Sequence, residues 1–123
     1  MAALGNSVFD NGLNHIDSAT ENLYLLSADP GLVWANIATY ALGVKASPAI
    51  SSPADRTLGG REVTISAITD GAVTATGDGT HYALTDDSAN DILVVGTLTS
   101  TLSVTIGGVF ATESFIVGIP DPA

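Results

Sequence analysis

A chain of 123 residues with 46% hydrophobic and only 13% charged residues, and a mean hydropathy of +0.38, has the length and apolar content of one folded domain. Lys45, Arg56 and Arg61 stand against 13 acids, and a formal net charge of −10 argues against a nucleic-acid face or docking on an anionic membrane, both of which need clustered cations. No cysteine is present, which excludes disulfides, thiolate metal sites and thiol nucleophiles.

The first segment, MAALGNSVFDNGLNHIDS, lacks the basic start and unbroken apolar core of a signal peptide, and no apolar run approaches the ~20 residues of a membrane span. The reading is a protein made in the cytoplasm without a membrane anchor of its own. From Asn6 to Ser18, Val8, Phe9, Leu13 and Ile16 recur at helical spacing, which predicts a short amphipathic helix in an N-terminal arm over residues 1–20. A second region, residues 21–60, predicts a strand at Asn22 to Ser27, closed by Asp29-Pro30-Gly31. The stretch Leu32 to Leu42 fits both a helical stripe and an extended strand; the helix is preferred. Lys45 to Gly60, with two prolines, three serines and a Gly-Gly pair, predicts an extended loop at an edge or surface.

The third region, residues 61–123, reads as β. Runs at Glu62 to Ile68, Ala72 to Thr76, His81 to Thr85, Ile92 to Leu98, Leu102 to Ile106 and Glu113 to Ile119 recur at intervals of about ten residues. Asp70-Gly71, Asp78-Gly79 and Gly107-Gly108 read as tight hairpin turns, which would make adjacent runs antiparallel neighbours. The predicted class is therefore mainly β, an antiparallel β-sandwich of about six to eight strands with one or two short N-terminal helices, in a single domain. Its expected core is Leu23, Leu25, Val63, Ile65, Leu84, Leu93, Val95, Leu102, Val104, Ile106, Phe115 and Val117.

Chemistry-bearing motifs are sparse. His15 and His81 have no neighbouring His, Cys or patterned carboxylates, so polar helix and strand positions account for both. Asp86, Asp87, Asn90 and Asp91 are oxygen ligands of the kind Ca²⁺ prefers, yet they lack EF-hand spacing; a polar turn bonded to its own backbone is the plainer reading. Gly77 to Gly79 and Ile106 to Gly108 are glycine-rich without the lysine or following helix of a phosphate loop. No Gly-x-Ser-x-Gly is present. Trp34 and Tyr40 suit a core better than an exposed anchor. No enzyme, no cofactor and no metal site is expected.

Taken in order, LYLLSADP, ATYALG, GREVTISAITDGAVTATGDGTHYALTDD, ILVVGTLTSTLSVTIGG and FIVGIPDPA span nearly the whole chain. This series resembles a group of small tailed-bacteriophage virion structural proteins that join a short helical part to a β-sandwich. The resemblance implies a head decoration or cement protein on the outer capsid, bound to the major capsid protein, with a tail-associated or receptor- and carbohydrate-binding component as the alternative. A homo-oligomer such as a trimer is expected, with Thr-rich sheet faces against neighbouring subunits. The parts least accounted for by a sandwich are the helix, with Val8, Phe9, Leu13 and Ile16, and the Ala46 to Gly59 loop, with Pro48, Ile50 and Pro53; these are the expected partner interface.

Overall fold

The computed structural model describes residues 6–57 and 59–119, with side chains from Asp10 onward. Helix α1 (Asn6–Ala19) forms where the helical spacing predicts it, and β1 (Asn22–Leu26) follows directly. The ambiguous stretch resolves into both readings in turn, a short helix α2 (Ala35–Tyr40) and then β2 (Ala41–Ala46). Beyond it lie β3 (Ala54–Asp55), β4 (Arg61–Ile65), β5 (Ile68–Val73), β6 (Gly77–Asp86), β7 (Asp91–Val104), β8 (Val109–Thr112) and β9 (Phe115–Ile119).

All pairings are antiparallel and build two sheets, a six-stranded one in the order β7-β6-β1-β2-β5-β8 and a three-stranded one in the order β3-β4-β9. The expected mainly-β, sandwich-like class therefore holds. Between the sheets lies a main core that includes Leu23, Leu25, Val63, Ile65, Leu84 and Phe110. Three strands cannot cover six, and α1 supplies the missing lid by burying Leu13 completely in the same core, with Ile16 packed against it. On the opposite face of the large sheet, α2 covers a second cluster of Leu26, Ile37, Ala83 and Ile92, flanked by Trp34 and Tyr40. Strand β1 thus buries Leu23 and Leu25 on one face and Leu26 on the other, which explains an apolar run without polar alternation. Each such leucine contributes roughly 1.5–3 kcal/mol by leaving water.

Several expectations are corrected. Asp70-Gly71 and Asp78-Gly79 lie inside β5 and β6, not at turns. Their glycines are seats for large side chains: a Cβ at Gly71 would come within 2.3 Å of the Phe110 ring, and one at Gly79 within 2.6 Å of Leu25. Of the three predicted pairs, Gly107-Gly108 alone sits at a turn, with Gly107 at φ 87° and the Gly108 N–H donating to the Thr105 carbonyl at 3.0 Å. Because two of the three hairpins are absent, adjacent runs are not generally neighbours: β4 and β5 belong to different sheets, and β1 and β2 separate β5 from β6.

The runs at Ile92 to Leu98 and Leu102 to Ile106 fuse into β7, whose two halves both pair with β6. The junction is a wide bulge, since Thr97 faces His81 while Leu102 faces Gly79, leaving residues 98–101 opposite Thr80 alone. A smaller irregularity pairs Leu84 with Val94 but Thr85 with Ile92. It leaves Leu93 as the extra residue, sends Val94 to the main core, and sets Ile92 and Val95 against the second cluster. Leu102, Phe115 and Val117 are half-buried around the main core, whereas Ile106, expected inside, is 63% exposed in the turn before β8. Among the described residues, no helix is long and apolar enough to cross a membrane.

Candidate functional site: a cleft at the strand bulge and the free sheet edges

The wide bulge opens a cleft of about 310 Å³ between the middle of β7 and the β8–β9 connection. Its floor is apolar, built from Leu23 and Leu25 of β1 and Tyr82 of β6, and its far wall is Phe115 of β9. The Tyr82 and Phe115 rings pack at 4.4 Å between centroids with a 45° tilt. Gly96, directly opposite Tyr82 in the ladder, makes room for that ring: a Cβ there would lie 2.3 Å from it. Burial raises the Tyr82 phenol above its ordinary pKa. The rim is a series of hydroxyls on Thr97, Thr99, Ser100, Thr101 and Ser114, and among the described residues Glu113 is the one charged residue lining the cleft. Thr112, also in the wall, has a buried Oγ1 with no hydrogen-bond partner among the described residues.

A second feature lies at the sheet margins. Strand β8 ends the six-stranded sheet and β9 ends the three-stranded one, so each has a backbone edge without a strand partner among the described residues. Val109 on β8 is 70% exposed and Ile116 on β9 is 58% exposed, with Ile106 in the turn that leads into β8. The sequence of β9, FIVGI, carries no charge and no proline, the residues that usually blunt an edge.

The expected partner interface is placed differently. Leu13 and Ile16 of α1 face the protein's own core, so they are not a free stripe. Val8 and Phe9 fall in α1, but their side chains lie outside the described residues. In the loop, Pro48 is buried, and Ile50 packs on the main core and bridges to Ile65. Pro53 is half-buried, its carbonyl accepting from Arg61 Nη2 at 3.3 Å. Arg61 also bonds Asp10 of α1 at 2.9 Å and Asp55 of β3 at 2.7 Å, tying helix and loop to β4. The physical reason is cover: both segments are needed to close the sandwich, and sequence periodicity does not distinguish an own-core stripe from a partner stripe.

The acidic loop folds as the polar turn that was the plainer reading. Asp87 accepts from the Tyr24 hydroxyl at 2.7 Å and from Thr85 Oγ1 at 2.6 Å; Asp86 accepts from the Ala89 N–H at 3.4 Å. Asn90 closes the turn in the left-handed region, at φ 53°. The phenol of Tyr24 is pushed up to about 12 by burial first and by the Asp87 contact second. His15 is exposed on α1, and His81 Nδ1 shares a 2.8 Å hydrogen bond with Thr80 Oγ1. Neither histidine is brought to the cleft, whose signal in the sequence was only the Ser/Thr-rich break in β7.

Comparison with protein families, with curated proteins and with solved structures gives no match.

Proposed function

We propose that this protein is a structural component of a tailed-bacteriophage particle, a decoration protein that binds the outer head and stabilises it. The observation that carries this reading is a two-sheet scaffold whose margins, at β8 and β9, present uncharged strands with exposed Val109 and Ile116. Unpaired strand edges accept a strand from another chain through backbone hydrogen bonds, while side-chain pockets set the partner. The contact with the major capsid protein, and with neighbouring copies of this chain, therefore runs through these edges instead of α1. The net charge of −10 suits a position outside the shell, away from packaged DNA. Many weak edge contacts repeated over a lattice add to firm attachment.

The test is made on purified particles. Subunit counting by mass spectrometry should give hundreds of copies per particle, and heads stripped of the protein should lose DNA at a lower temperature or a milder osmotic shock than complete heads. A ligand that binds only the intact lattice stabilises it by mass action. Equal survival of stripped and complete heads removes the stabilising role, and a handful of copies moves the protein to the tail.

A further inference from the structure

The cleft at the β7 bulge is preformed, and its chemistry is selective. Tyr82 is seated on Gly96 and braced by Phe115, so an aromatic wall stands in place before any ligand arrives. At about 310 Å³ the space falls at the small end of the range for small-molecule sites, and its apolar floor with a few convergent polar groups has the usual composition of one. Bulges recur beside binding sites because they re-aim side chains away from the ladder. Here the bulge turns residues 98–101 into a rim above β6.

The rim narrows the class of ligand. Each Ser or Thr hydroxyl both donates and accepts, which matches a ligand whose own polar groups are hydroxyls. An anion finds no partner, since no Lys or Arg lines the cleft, Lys45 is paired with Asp70, and Arg61 is held by Asp10 and Asp55. It would also enter the field of a chain with a net charge of −10. Thr112 Oγ1 is buried without a partner among the described residues, so a χ1 rotation toward the cleft gives up no hydrogen bond to them and offers a ligand one more.

We propose that this cleft binds a neutral saccharide of one or two rings, the C–H face of a ring lying on the Tyr82–Phe115 wall and its hydroxyls meeting the Thr/Ser rim and Glu113. The site is independent of attachment through β8 and β9, and it is tested on the isolated protein, so its failure leaves the particle reading standing.

The experiment is a titration of ¹⁵N-labelled protein with glucose, galactose, N-acetylglucosamine and maltose, with glucuronate as the anionic control. Saturable shifts are expected in the amides of residues 97–102 and 111–115 for at least one neutral sugar, with a Kd on the order of 1 mM. Glucuronate should bind at least about tenfold more weakly than glucose, a difference set by one unpaired charge. Ala111→Trp fills the cleft from an exposed position and should abolish the shifts with folding intact by circular dichroism; Glu113→Gln keeps the fold and should weaken binding severalfold. The proposal is overturned by no saturable shift with any of the four neutral sugars up to about 50 mM, by glucuronate binding as well as glucose, or by shifts that survive Ala111→Trp. It is equally overturned if the same amides shift with protein concentration alone, which assigns the cleft to self-association.

Discussion

Phe110 lies across two strands that have no side chain to offer it, with Gly43 and Gly71 both beneath its ring. Gly71→Ala forces a methyl to within 2.3 Å of the ring carbons and should cost about 1–3 kcal/mol as overpacking. Phe110→Ala should cost about 3–5 kcal/mol as a cavity. In the double variant the clash has no ring to meet, so its loss in urea denaturation should be smaller than the sum of the two; strict additivity would refute the contact. The same pair explains why Asp70-Gly71 misled at the sequence level, because a missing Cβ serves a positive φ or a close approach equally well. A pH effect belongs at this scale too. Ser88 holds Glu21 below its usual pKa, mainly through its side chain and then its backbone N–H, with Asp86 contributing less. Asp86 is held above its own value by the hydrogen bond it shares with Glu21, then by partial burial. A raised carboxyl stabilises the fold only while protonated: its contribution is full below the unfolded pKa, is lost as pH rises through the folded one, and is absent at pH 7. Asp86→Asn keeps a carbonyl oxygen for the Ala89 N–H and removes the shared charge, so Tm should rise at pH 7 and the difference should fade toward pH 3. A Tm difference that is constant across that range would rule out the shared-charge account.

Helix α1 shows that an element can be legible while the partner of its apolar stripe is not. Its spacing predicts a helix and a helix forms, but the partner for its apolar stripe is a matter of topology that the stripe does not encode. Leu13→Ala should cost about 2–5 kcal/mol in denaturant, the cost of a fully buried leucine, with retained particle binding in the fraction that stays folded. A variant with unchanged stability but lost attachment would restore the helix as an anchor. The strands follow the same division. Strand β4 alternates, with Val63 and Ile65 buried on the main core, whereas β6 buries Ala83, Leu84 and Thr85 in a row because it serves both clusters and was legible only as a run between turn residues. Strand β8 was not among the predicted runs, since four residues with a single buried Phe110 carry no period. The β7 bulge was visible only as the gap between two runs, Ile92 to Leu98 and Leu102 to Ile106. That gap is also where the cleft opens, so the candidate site was marked by the failure of a pattern and not by any motif.

For the whole molecule, the class was legible from composition and rhythm, but the strand order was not, because neighbours in the large sheet such as β2 and β5 are joined by nothing in the local sequence. What the assembled chain adds is a contrast between its charge and its edges. The acids among the described residues are dispersed over α1, the turns and several strands, and charges separated by more than a screening length of about 8 Å at physiological ionic strength, or about 3 Å at 1 M, interact little. Burying Ile116, Val109 and Ile106 against a partner contributes roughly 1.5–3 kcal/mol per side chain and is not screened by salt. Attachment through the edges should therefore persist in about 1 M NaCl, where docking of an acidic face on a basic partner would fail. Ile116→Lys places a charge on β9 at an exposed position, so the isolated protein should keep its stability within about 0.5 kcal/mol while occupancy on particles falls. Release of the unaltered protein by salt, with Ile116→Lys still bound at full occupancy, would transfer the interface from the strand edges to the charged surface.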